Sequence, residues 1–170
     1  HNPKIHIITK HLSMLREIPF RQETIYQNKH IRIINDSTAT SPDGLIASIN
    51  RFAGNNTVFI AGGTKKDVSF KDVAKHIQKH IEPQHLILLS GSATNDLLRS
   101  LKKISYQVNE ITVCEKLADC VKIGFAQNPS LLVFSPGSAS FEKFKNEFDR
   151  GEQFTKFIQI YLQKYYRSAE

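Results

Sequence analysis

The sequence predicts an α/β domain, a doubly wound and mostly parallel sheet with helices on both faces. Two observations carry this. Four short runs, residues 31–34, 58–61, 86–89 and 131–134, are almost continuously apolar, as expected of strands buried on both faces. Between them lie stretches with apolar residues at helical spacing, so strands and helices alternate.

The helices follow in order. Leu45, Ile46, Ile49 and Phe52 form one stripe, and Pro42 suits the first turn ahead of it. Ser69 and Asp72 fit a capping box before Val73, Ile77 and Ile81. Leu97, Leu98, Leu101 and Ile104 form a third stripe. Leu117, Val121, Gly124 and Phe125 form a fourth, which includes Cys120 as a small core residue. A last helix carries Phe154, Phe157, Ile158, Tyr161 and Tyr165 on one face.

At 170 residues and 40% hydrophobic content, the chain suits one domain with a sizeable core. No apolar run is long enough for a membrane helix, and the first residues lack the apolar centre of a signal peptide. Cys114 and Cys120 do not make a disulfide framework and fit a reducing cytoplasm. The net charge of +7 favours anionic partners. The basic residues are spread along the chain, which speaks against nucleic acid. A monomer without nucleic-acid or membrane partners is expected.

In such a sheet, ligands bind beyond the carboxyl ends of the strands. The four exits there read NDSTAT (35–40), GGTKKDVSF (62–70), SGSATN (90–95) and SPGSASF (135–141). Glycine lets backbone approach a ligand, and a hydroxyl at a helix start leaves N–H groups facing an anion. Each exit is also ordinary turn and cap chemistry, and nothing in SGSATN exceeds capping. Neither a dinucleotide fingerprint nor a phosphate loop occurs in the chain. His76 and His80 stand four apart, a zinc spacing, but lack a third ligand and read as the flank of an amphipathic helix. No metal site is expected. The aromatic and basic tail QIYLQKYYR reads as a packing stripe.

Taken in order, IPFR (18–21), INDSTATSPD (34–43), FIAGGTKKDVSF (59–70) and SPGSASFEKFKNEFDRGEQF (135–154) resemble the C-terminal domain of the Mur ligases. The likeness runs from about residue 15 to residue 157 and is most specific in the last motif. It implies an ATP-dependent amide ligase of three domains, with the UDP-binding and ATPase domains outside this chain. Residues 1–14 then form a residual linker, and residues 15–170 form the amino-acid-binding domain. Such a domain carries no catalytic residue of its own and is inactive when alone. The implied ligands are ATP, magnesium held on the central domain, UDP-N-acetylmuramoyl-L-alanine and D-glutamate, in peptidoglycan synthesis.

The resemblance assigns Arg21 and Asp36 to the nucleotide. A guanidinium suits phosphate oxygens, and a carboxylate accepts hydrogen bonds from ribose hydroxyls. It assigns Thr40, Lys66 and Ser140 to the carboxylates of the amino acid. Ser140 is expected at a helix start, and Lys65 is a rival for Lys66. Three positions depart from the pattern: Thr38 replaces a lysine, Ser41 replaces an asparagine, and Glu147 replaces an aromatic. A carboxylate at 147 would repel a glutamate side chain if it faced the ligand. Either Phe148 leans into that place or Glu147 faces solvent. Other amide ligases, including folylpolyglutamate synthases, and a non-catalytic nucleotide- or nucleic-acid-binding module are the alternatives.

Overall fold

The computed structural model describes residues 18–167, with side chains to residue 164. Residues 1–14 and the side chain of Tyr165 lie outside what is described. Six strands are present among these residues: β1 (Glu23–Gln27), β2 (Arg32–Asn35), β3 (Thr57–Gly62), β4 (Leu86–Leu89), β5 (Thr112–Cys114) and β6 (Leu131–Phe134). Five helices accompany them: α1 (Pro42–Phe52), α2 (Lys71–His80), α3 (Ser92–Lys103), α4 (Leu117–Ala126) and α5 (Glu147–Arg167).

The sheet runs β1-β2-β6-β3-β4-β5. Only β1 is antiparallel, against β2; the other pairings are parallel. The chain passes from β2 to β3, walks outward through β4 and β5, and returns as β6 between β2 and β3. That slot is the switch point, where a doubly wound sheet opens its ligand crevice.

Alternation along the central strands feeds two cores. Ile34, Phe59, Ala61 and Val133 pack with Leu45, Ile49, Val73, Ile77, Leu97 and Leu101 of α1, α2 and α3. Ile33, Val58, Ile60, Leu132 and Phe134 pack with Leu117, Cys120, Val121, Phe154 and Ile158 of α4 and α5. Both faces are covered, which is why the strands read as unbroken apolar runs. Cys114 and Cys120 are free and buried. No helix among the described residues is long and apolar enough to cross a membrane.

Two strands were not legible. β1 (ETIYQ) is a partly exposed edge strand, and β5 has three residues; neither holds an apolar run. Pro42 does open α1, behind Ser41, whose hydroxyl accepts from the Gly44 N–H. The capping box at Ser69 and Asp72 does not form. Phe70 is the cap residue of α2, Ser69 Oγ accepts from the Lys71 N–H, and the Asp72 carboxylate takes Lys75 instead. The His76 and His80 rings stack with centroids 6.5 Å apart. Among the described residues no group of three His, Cys, Asp or Glu side chains could hold a metal ion.

Phe154 is fully buried and stacks on Phe134 with centroids 4.6 Å apart. Phe154→Ala is expected to cost about 3–5 kcal/mol in urea unfolding, because it empties the seat of α5 against β6.

Candidate functional site

At the switch point the exits of β2, β6 and β3 lie side by side and are laced by backbone hydrogen bonds. Gly137 N donates to Ala39 O (2.9 Å), and Gly62 N donates to Pro136 O (2.9 Å). Thr64 and Ala139 exchange two bonds, at 3.0 and 3.1 Å, as an isolated antiparallel bridge. Two glycines permit this approach. Gly137 has φ +65° and lies against Leu45, whose Cβ would stand 2.7 Å from an added Cβ. At Gly63, with φ +136°, an added Cβ would meet Ser138 Oγ at 2.8 Å and Ala139 O at 2.9 Å. Any side chain there would force the exits apart.

Beneath the loops lies Arg150, fully buried in the first turns of α5. Its Nε donates to Ser37 Oγ (3.0 Å) and Nη2 to Ser37 O (2.7 Å). Nη1 donates to Ser138 O and Ala139 O, both at 3.0 Å. One guanidinium therefore joins the β2 exit to the β6 exit. Burial lowers its pKa to about 10, and the nearby Glu147 carboxylate pulls the other way, so Arg150 stays cationic at neutral pH. Ser37 Oγ also donates to Glu147 O (2.7 Å), and Asn35 Nδ2 donates to Gly151 O (2.8 Å). The start of α5 is thus sewn to NDSTAT.

Asp36 is buried too. Its Oδ2 accepts from Ser48 Oγ (2.6 Å) and Ser135 Oγ (2.8 Å), and its Oδ1 accepts from the Gln22 N–H (3.0 Å). Ribose hydroxyls were the expected donors; here the protein supplies them, because the side chain points into the junction of β2, β6 and α1. Burial pushes the Asp36 carboxyl above its usual range, against the hydrogen bonds of Ser48, Ser135 and Gln22 and the charge of Arg21.

Thr38 is likewise turned inward. Its hydroxyl donates to Phe20 O (2.9 Å) and its N–H to the same oxygen (3.1 Å), which holds the turn that presents Arg21.

The three residues assigned to the amino acid lie on neighbouring loops. Thr40 follows Ala39, Ser140 follows Ala139, and Lys66 stands two residues beyond Thr64, so each sits on one laced loop. Ser140 Oγ is buried without a hydrogen-bond partner. Lys66 has no ion pair among the described residues, whereas Lys65 pairs with Asp96 at 3.1 Å. Of the two lysines, Lys66 is the one left free.

Ser140 does not stand at a helix start. The helix begins at Glu147, behind Asn146, whose Oδ1 accepts from the N–H groups of Phe148 and Asp149 (2.9 Å each). Asn146 is the better cap. Residues 141–146 form turns, with Ser140 O accepting from Lys143 and Phe144 N–H. Phe148 is exposed, with its ring tilted toward Phe20 at 6.5 Å. Glu147 is half-buried, and its charge acts on Arg150. The SGSATN exit holds an anion from the protein itself: Ser92 N–H and Oγ both donate to the Glu142 carboxylate.

Arg150 was missed as a site residue, although its signal was present. It stands four residues before Phe154 on the apolar stripe of α5, and a cation on a core face is rarely idle.

No protein-family model matches the chain. It is 32% identical to the UDP-N-acetylmuramoylalanine–D-glutamate ligase of Roseiflexus sp. (strain RS-1), over 85% of this chain and 31% of that protein. Against the ligase of the same name from Treponema pallidum the identity is 35%, over 84% of this chain and 26% of that protein. The chain belongs to the Mur ligase family. This Mur ligase domain spans about a third of the length of the relatives it matches. Two solved structures share its fold at low identity. The UDP-N-acetylmuramate–alanine ligase of Thermotoga maritima gives a TM-score of 0.56 at 16% identity, covering 88% of this chain and 32% of that one. The folylpolyglutamate synthase of Mycobacterium tuberculosis gives 0.57 at 13%, covering 83% and 32%.

Asp36 supplies a test by pH. A carboxyl with a raised folded pKa adds stability that is present below the unfolded value and lost as pH rises through the folded one. Between neutral pH and about pH 4, wild-type stability measured by urea unfolding should therefore gain on that of Asp36→Asn as pH falls. A gap that shrinks on acidification would contradict the raised pKa.

Proposed function

We propose that this chain is the amino-acid-binding C-terminal domain of an ATP-dependent ligase that adds D-glutamate to UDP-N-acetylmuramoyl-L-alanine. The observation that carries the reading is the buried, unpartnered Ser140 hydroxyl, on a loop laced by backbone hydrogen bonds to the loops that carry Thr40 and the free Lys66. A buried hydroxyl without a partner costs free energy unless a ligand completes it. A carboxylate does so as acceptor, with Lys66 as its counter-charge. The names of the relatives supply the amino acid.

In the proposed reaction, the substrate carboxylate takes the terminal phosphoryl group of ATP and releases ADP. The amine of D-glutamate then attacks the acyl carbon, forms the amide, and expels phosphate together with a proton. This domain's share is positioning: Thr40, Lys66 and Ser140 hold the carboxylates so that the amine faces the acyl phosphate. Arg21 faces the nucleotide, and Asp36 acts on it indirectly by holding the Gln22 N–H. No magnesium ligand is derived from the described residues.

Glu147 and Thr38 bear on the choice of amino acid. The Thr38 hydroxyl is taken by Phe20 O, and the Glu147 carboxylate acts by its charge on Arg150 while the Glu147 backbone carbonyl accepts from Ser37.

Ser140→Ala separates ligand binding from folding. In the full-length enzyme it should raise the KM for D-glutamate about 10- to 100-fold, the loss of one charge-assisted hydrogen bond. Urea unfolding should move by no more than about 0.5 kcal/mol, since no protein partner is lost. Lys66→Ala should raise the same KM at least as much. An unchanged KM in either variant, or amide formation with an amino acid other than D-glutamate in preference to it, would overturn the assignment.

A further inference from the structure

The turn that leaves Ser140 belongs to no helix, yet it is anchored on several sides. Ser140 O accepts from the N–H groups of Lys143 (3.2 Å) and Phe144 (3.0 Å). Glu142 N donates to Thr64 Oγ1 (2.9 Å) on the neighbouring loop. The Glu142 carboxylate reaches across to the SGSATN exit. There Oε2 accepts from the Ser92 N–H (3.1 Å), and Oε1 accepts from the Ser92 hydroxyl. Lys143 is held separately, with Nζ donating to Glu115 O (2.9 Å) and meeting the Glu115 carboxylate at 3.2 Å.

Ser92 stands between two of the loops. Its hydroxyl accepts from the Lys65 N–H (2.8 Å) while it donates to Glu142. Lys65 precedes Lys66, and Glu142 lies two residues after Ser140. One hydroxyl therefore ties the backbone beside Lys66 to the side chain beside Ser140. Residue 91 makes room for the carboxylate by being glycine: an added Cβ would stand 2.9 Å from Glu142 Oε2 and 2.3 Å from Gly63 O. Among the described residues Glu142 forms no ion pair, so no cation explains where it points. Its partners are the N–H and O–H groups of the first residue of α3, where the helix dipole favours an anion. Hydrogen bonds to an ionised group are stronger than neutral ones, which suits them to fixing an irregular turn.

We propose that Glu142 is a positioning residue for Ser140: its carboxylate, seated on Ser92, holds the turn that aims the Ser140 hydroxyl at the carboxylate of the amino acid. The proposal rests on the reading of Ser140 given above and deepens it, giving the SGSATN exit a part in binding. Glu142 touches no ligand itself; its effect reaches the amino acid through Ser140. Because Lys143 and the Thr64–Ala139 bridge are separate anchors, losing Glu142 loosens the turn without releasing it.

The test is steady-state kinetics of the full-length enzyme with each substrate varied in turn. Glu142→Ala should raise the KM for D-glutamate about three- to tenfold, as expected for losing exposed hydrogen bonds to a charged group. The KM values for ATP and UDP-N-acetylmuramoyl-L-alanine, and kcat at saturating amino acid, should stay within about twofold of wild type. Glu142→Gln keeps an oxygen for the Ser92 N–H and should restore part of the loss. In a Ser140→Ala background, Glu142→Ala should add less than about a twofold change, because it acts through that hydroxyl. Equal rises in all three KM values, or factors that multiply in the double variant, would overturn the proposal. If Ser140→Ala raises the KM for D-glutamate and Glu142→Ala does not, the reading of Ser140 stands and this inference falls. If neither variant raises it, both fall.

Discussion

The site depends on one buried cation. Arg150 has no carboxylate pressed against it; its donors go to Ser37 on one loop and to the carbonyls of Ser138 and Ala139 on another. Burying a charge is costly unless its hydrogen bonds are met. Here four bonds meet it, and they come from two strand exits far apart in sequence. The same contacts that keep the guanidinium satisfied therefore keep the β2 and β6 exits at one separation. The Thr64–Ala139 bridge then carries that constraint to the β3 exit.

What the loops present follows from what they leave unmet. Most polar groups at the junction are consumed by the protein, with Asp36 taken by Ser48, Ser135 and Gln22, and Thr38 by Phe20. At the SGSATN exit the Glu142 carboxylate already occupies the helix start. Ser140 is the exception, a buried hydroxyl with no partner. A rigid frame around one unmet donor is suited to holding a ligand anion in a set orientation. Mobile loops would lose that advantage to ordering entropy when the ligand arrives.

Much of this was legible beforehand, for physical reasons. Strands buried on both faces announce themselves as apolar runs, and all four such runs are strands. The edge strand β1 and the three-residue β5 carry no such pattern and were invisible. Residue types at the strand exits marked the crevice, and motif order tied them to one family. Direction was harder to read. Nothing in the letters says that Asp36 and Thr38 turn inward, or that Asn146 outcompetes Ser140 as the cap of α5. Those outcomes are decided by which donors the fold brings near, and only tertiary structure supplies them. Lys65 and Lys66 are alike in sequence; Asp96, on a helix thirty residues on, separates them.

The account makes Arg150 a structural fork and not merely a charge. Lysine retains the charge but lacks the planar set of donors that reaches both loops. Equilibrium urea unfolding of Arg150→Lys is thus the most direct test. The account predicts a loss of about 3 kcal/mol or more, since the buried carbonyls of Ser37 and Ser138 are left without donors and Ala139 O keeps only the Thr64 N–H. Stability equal to wild type would contradict it, because the exits would then be held by something other than the guanidinium.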